Sequence, residues 1–185
     1  MGRKFARWLC VLTLTASGIV FSGCRSTAAE AGQNKVAHIA NRTRTASVTA
    51  TVTNRDFPKN FFVVADPAVA EDPLAAEVIA YTVNGLKSLR MTQAKNAASA
   101  EMIVTVNFYK TAARRMSVYF TMTAKAGDQE CWQVKSWCSS RPEDIRPFLP
   151  GLVAATLPYV GIDQGRAIIN LAKHSNYVQA VYGNF

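Results

Sequence analysis

Over residues 102–109 and again over 116–122 apolar and polar side chains alternate, and a period of two restricts both stretches to β-structure with one face turned to a core. Met102, Val104, Val106 and Phe108 share one side of a first strand; Met116, Val118, Phe120 and Met122 repeat the logic on a second. The connection over 110–115 is short, so an antiparallel hairpin is the economical pairing. A turn over 126–130 leads into a third strand from Cys131 to Cys138, in which Trp132 and Val134 face opposite to Lys135 and Trp137.

Two more strands precede this meander. Residues 47–53 alternate and are rich in β-branched side chains, and Phe61-Phe62-Val63-Val64-Ala65 follows a turn that contains Pro58. Asp66-Pro67 and Asp72-Pro73 are helix-start signals, since Asp accepts from free backbone donors and Pro wastes none. Leu74, Val78, Tyr81, Leu86 and Leu89 then recur near helical spacing, which predicts an amphipathic helix over 72–91. Further on, Ser140-Arg141-Pro142-Glu143 has the spacing of a capping box. It predicts a helix over 141–160, kinked by Pro147 and Pro150. Residues 166–172 read as a last strand and 175–181 as a terminal helical turn or two. The expected fold class is α+β: an antiparallel-rich sheet of five or six strands with two main helices packed on one face.

The amino end has a different character. Arg3, Lys4 and Arg7 precede an apolar run from Trp8 to Phe21, the layout of an export signal. At about fourteen residues the run is short of the roughly twenty that cross a hydrocarbon core. Phe21-Ser22-Gly23-Cys24 resembles the lipobox of bacterial lipoproteins, in which small residues precede a cysteine that is acylated and becomes the mature terminus. Phe21 departs from the usual Leu, and a plain secretory signal cut among residues 28–31 is the competing reading. The expected organisation is a signal peptide over 1–23, a flexible Ala, Ser, Gln and Asn rich tether over 24–44, and one domain over 45–185. Lipidation falls on Cys24. Arg25 stands where an Asp tends to retain such proteins in the inner membrane, so the resemblance favours the outer membrane, facing the periplasm.

Removing the signal takes three positive charges from the total of +9 and leaves about +6. That suits contact with anionic lipid, lipopolysaccharide or glycan, and equally a merely solvated surface. Nucleic acid is not an expected partner in this compartment. Of the remaining cysteines, Cys131 and Cys138 lie seven residues apart. On one continuous strand they stand about 23 Å from each other, far beyond bridging distance, and a disulfide requires the strand to bend back. His38 and His174 have no ligand spacing, and no metal or cofactor is expected.

No Gly-x-Ser-x-Gly, His-Glu-x-x-His or phosphate-cradling Gly-rich loop occurs, and no catalytic residue is assigned. Glu71-Asp72 and Glu143-Asp144 read as helix caps. The candidate ligand-binding residues are Trp132, Trp137 and Lys135, with Arg114 and Arg115 on the neighbouring loop. Aromatic faces and cations together hold sugars, headgroups or a peptide edge; the structural reading makes the same residues core and rim of a sheet under a helix.

The order of segments resembles uncharacterised bacterial envelope lipoproteins of the domain-of-unknown-function 4136 type. The shared landmarks are the lipobox, the strand over 61–65 before an Asp-Pro-led helix and the apolar strand over 102–108. Trp132-Gln133-Val134, Asp144-Ile145-Arg146, Leu149-Pro150 and Pro158-Tyr159-Val160-Gly161 complete them. The likeness spans most of 45–172; the double Asp-Pro and the two strand cysteines depart from it. The resemblance implies fold and location and carries over no catalytic residue. Three functions are weighed. The leading one is a non-enzymatic accessory or interaction protein of the envelope, tied to the membrane through Cys24 and meeting an envelope protein partner. The second is a binding module for lipid, glycan or lipopolysaccharide. The third is a hydrolase with a nonlocal site, a reading that gains ground only if a concave pocket brings His174 beside a Ser or carboxylate.

Overall fold

The computed structural model describes residues 45–111, 117–139 and 144–183. Cys24 and the tether, Arg114, Arg115 and the capping sequence at 140–143 lie outside the described residues. The strands are β1 (Thr45–Val52), β2 (Asn60–Ala65), β3 (Thr92–Gln93), β4 (Met102–Thr111), β5 (Ser117–Ala126), β6 (Gln129–Ser139) and β7 (Gln164–Asn170). They form one sheet in the order β3-β2-β4-β5-β6-β1-β7. The expected meander is present as β4-β5-β6, antiparallel throughout, with Val106 opposite Met122 and Met122 opposite Val134. β1 inserts antiparallel between β6 and β7.

The expectation of five or six antiparallel-rich strands needs correcting, because the sheet has seven strands and is mixed. β2 runs parallel to both β4 and β3. The cause is the helix α1 (Ala75–Ser88) that follows β2: a strand, a helix over one face and a return strand make a crossover, which brings the next strand back in the same direction.

Among the described residues three α-helices cover the sheet: α1, α2 (Leu149–Thr156) and α3 (Ser175–Val181), the last being the terminal helical turns expected over 175–181 beside the two main helices. α1 is shorter than the expected 72–91. At each Asp-Pro the Asp side chain closes its own turn, the Ala68 N–H donating to Asp66 Oδ1 (2.9 Å) and the Leu74 N–H to Asp72 Oδ1 (2.8 Å), so helical hydrogen bonding starts only afterwards. At the other end Arg90 has φ 62. The Arg90 N–H donates to the Lys87 carbonyl and the Met91 N–H to that of Leu86, a Schellman closure with Arg where Gly is usual.

The helix expected over 141–160 is likewise shorter, running from 149 to 156 with Pro150 in its first turn and a 3-10 turn, Leu157–Tyr159, behind it. Pro150 is therefore a starter of the helix rather than a kink within it. All eight residues of α2 are buried, which is why its sequence shows no polar face. The Ser136 hydroxyl of β6 donates to the Leu152 carbonyl (2.9 Å), which satisfies this buried hydroxyl under the helix.

Trp132, Phe61, Phe108, Phe120, Met102, Met122 and Leu152 fill the space between sheet and helices, each essentially without exposure. Each fully buried Leu, Phe or Met side chain contributes roughly 1.5–3 kcal/mol of transfer free energy. A register shift opposite Ala124 and Lys125 makes Cys131 the extra residue of a bulge, which lets Cys131 and Trp132 both be buried although adjacent. β6 is continuous, and Cys131 and Cys138 are both free thiols.

Candidate functional site

One face of the sheet is packed by helices and the other carries no covering element among the described residues. The strand registers set the composition of this open face. Tyr109 of β4 stands opposite Tyr119 of β5, Tyr119 opposite Trp137 of β6, Trp137 opposite Ser47 of β1, and Ser47 opposite Ile168 of β7. One row across five strands thus carries three aromatics, a small residue and an exposed aliphatic one.

The aromatics stack in sequence. Tyr109 and Tyr119 have centroids 4.9 Å apart and planes 12° apart; Tyr119 and Trp137 are at 6.2 Å and 21°. Such cross-strand pairs contribute roughly 0.2–1 kcal/mol each. One row away, Lys135 lies between Thr121 and Thr49 and extends its ammonium over the rings, 4.8 Å from the Tyr119 centroid and 5.8 Å from that of Tyr109. From the edge strand, the Arg166 guanidinium lies 5.7 Å from the Trp137 centroid. These are cation–π distances. The short side chains of Ser47 and Thr49 on the intervening β1 leave room for both.

Thr49, Tyr119, Lys135, Trp137 and Arg166 line a shallow depression of about 360 Å³. Among the described residues the one ion pair joins Arg146 and Glu77, on the helix side at 3.5 Å, so no carboxylate pairs with Lys135 or Arg166. A smaller cleft of about 240 Å³ lies elsewhere, among Phe57, Met91, Leu157, Val160, Ile162 and Tyr177, with Lys59 at its lining. His174 packs against Tyr177 (6.2 Å). Among the described residues no three His, Cys, Asp or Glu side chains gather as a metal site, and no helix is long and apolar enough to cross a membrane.

Of the residues singled out in the sequence, Lys135 and Trp137 come together on the open face. Trp132 does not join them: it points into the core with 0% exposure, its ring edge-on to Phe57 at 6.1 Å and its Nε1 without a partner. A tryptophan so enclosed is unable to touch a ligand on the opposite face. Arg114 and Arg115 fall outside the described residues. Sequence reasoning missed Tyr109, Tyr119 and Arg166. The first two had a signal, since aromatic residues at outward positions of an alternating strand are unusual in a solvated face; Arg166 had none, because only the pairing of β7 with β1 brings it near Trp137.

No family model matches the chain, and no curated protein matches it. Among solved structures it is similar to the PelC dodecamer from Paraburkholderia phytofirmans, at 15% identity and TM-score 0.43, covering 64% of this chain and 99% of that one. A PDZ domain protein from Parabacteroides distasonis is similar at 12% identity and TM-score 0.46, covering 74% of this chain and 42% of that one.

Proposed function

We propose that this chain is a lipid-anchored, non-enzymatic interaction protein of the bacterial cell envelope, of the kind its segment order resembles, held by Cys24 to the outer membrane on the periplasmic side. It works through the open face of its sheet. The observation that carries the reading is the Tyr109-Tyr119-Trp137 row with its two cations: large rings and unpaired positive charge stand on the face that the helices leave uncovered. Rigid aromatic residues present much contact area at little entropic cost, and they dominate the energetics of interfaces. A lipid on Cys24 confines that face to two dimensions and raises its effective concentration near envelope partners.

Two measurements in cells test the two halves. Cys24→Ser should abolish fatty acylation and release the protein from the membrane fraction; retention with normal processing would sink the anchor. A photocrosslinking amino acid at Thr121, on the open face, should capture a discrete envelope component, whereas the same probe at Lys87 on the outer side of α1 should not. Equal capture at both positions defeats the assignment of the open face.

A further inference from the structure

The depression beside Trp137 holds two cations and no anion. Lys135 comes from β6 and Arg166 from β7, with β1 between them, and both line the same hollow. An ammonium and a guanidinium in one depression repel each other unless negative charge lies between them. Among the described residues none lines the hollow: Glu130 is the one acidic residue in the seven strands, and it stands at the hairpin end of β6 opposite Lys125. The aromatic rings partly shield each cation and preserve its charge, so the hollow is arranged for an anion from outside.

The surroundings select the kind of anion. Ser47, Thr49, Thr121, Thr123 and Gln133 flank the depression in the registers of β1, β5 and β6, groups that both donate and accept hydrogen bonds. The Gln133 amide already donates to the Thr123 hydroxyl at 3.0 Å. A face that inserts into a bilayer presents apolar side chains to the acyl boundary; here the strongly protruding aliphatic residue is Ile168 alone, 72% exposed, at the sheet edge. Hydroxyls, amides, ring edges and paired cations fit a polyhydroxylated chain that bears carboxylates.

We propose that the depression formed by Thr49, Tyr119, Lys135, Trp137 and Arg166 binds an acidic polysaccharide, a uronic acid carboxylate seating between the Lys135 ammonium and the Arg166 guanidinium. The inference rests on the open face being the working surface and adds the chemistry of its ligand. Binding is electrostatic at its centre and therefore weakens with salt.

The test is calorimetric titration of the full-length chain reconstituted in phosphatidylcholine nanodiscs with polygalacturonate, with dextran as the neutral polymer and phosphatidylglycerol vesicles as the anionic lipid. Saturable binding is expected for polygalacturonate and none for dextran. The double variant Lys135→Gln, Arg166→Gln should lose at least tenfold in affinity at unchanged melting temperature, while Lys125→Gln, on the same face beyond the depression, should bind like the parent. Absence of polygalacturonate binding, equal binding of dextran, survival in the double variant, or an equal loss in Lys125→Gln overturns the proposal. Vesicle binding that matches or replaces polygalacturonate binding and is lost in the double variant assigns the hollow to a lipid headgroup and overturns it too. A negative titration leaves acylation of Cys24 and capture at Thr121 untouched, so the two readings fail separately.

Discussion

Trp132 and Trp137 are five residues apart on one strand and occupy opposite worlds. An odd separation on a pleated strand sends two side chains to opposite faces, so one indole is sealed against Phe57 beneath the helices and the other lies under Arg166 in the open row. The covered face is built by volume: Phe61, Phe108, Phe120 and the all-buried α2 leave little room for polarity, with the Ser136 hydroxyl bonded to the Leu152 carbonyl and the Trp132 Nε1 left without a partner. The open face is built by pairing between neighbours across strands, and its charges remain available. The same residue type thus serves stability on one side and contact on the other, and only the side decides.

The largest effect expected from that contrast comes from truncating the two indoles. Trp132→Ala should cost about 3–5 kcal/mol through lost burial and the cavity left behind. Trp137→Ala, with its ring only partly buried, should cost less than about 1 kcal/mol. Urea unfolding of both variants checks this, and comparable losses would erase the distinction between the faces.

Two glycines sharpen it at a smaller scale. Gly161 has φ +73, and a Cβ there would lie 2.6 Å from Phe57 Cε1, in the cluster that also holds Trp132. Gly161→Ala should destabilise by roughly 1–3 kcal/mol from backbone strain and overpacking together. Gly165, on the edge strand β7, has nothing within 4 Å of the corresponding position, and Gly165→Ala should stay within about 0.5 kcal/mol of the parent. Thermal melts of the pair suffice.

Alkaline pH probes the covered side through two buried groups. Burial pushes the Cys138 thiol up to about 11. It pushes the Tyr182 phenol up to about 12, with Tyr81 and Glu77 adding to the shift; the Tyr81 and Tyr182 rings meet edge to face at 5.6 Å. Both groups are neutral in the folded state at pH values where the unfolded chain has already released the proton. Above the ordinary range the folded state therefore binds more protons, and stability falls with rising pH. The contribution is complete below about pH 9 for Cys138 and about pH 10 for Tyr182, and it is lost by about 11 and 12 respectively. Melting temperature against pH should decline through that window, and Cys138→Ala should remove the part between about 9 and 11. A decline unchanged by the substitution would place its origin elsewhere.

Local pattern carried much of this molecule. The alternation over 102–109, 116–122 and 131–138 was enough for the β4-β5-β6 meander, and the apolar stripe from Leu74 to Leu89 for α1, since each depends on periodicity within one segment. The opposed faces of Trp132 and of Lys135 with Trp137 were also legible. The helix ends were not, because Asp66, Asp72 and Pro150 satisfy turns and helix starts with the same chemistry, and neighbouring contacts choose between them. The short β3 and the parallel pairing of β2 escaped as well, although the order strand, helix, strand held a clue to the latter.

What the sequence by itself determined is which side chains on each strand share a face, because the two-residue repeat of a strand is a property of the covalent chain. It determined the α+β class for the same reason. Only the tertiary structure decided which strands are neighbours. That choice aligned Tyr109, Tyr119 and Trp137 in one row and carried Arg166 from the far edge to Trp137, since strand order depends on how the helices cover the sheet and on no local signal. The depression between Lys135 and Arg166 is a product of that order.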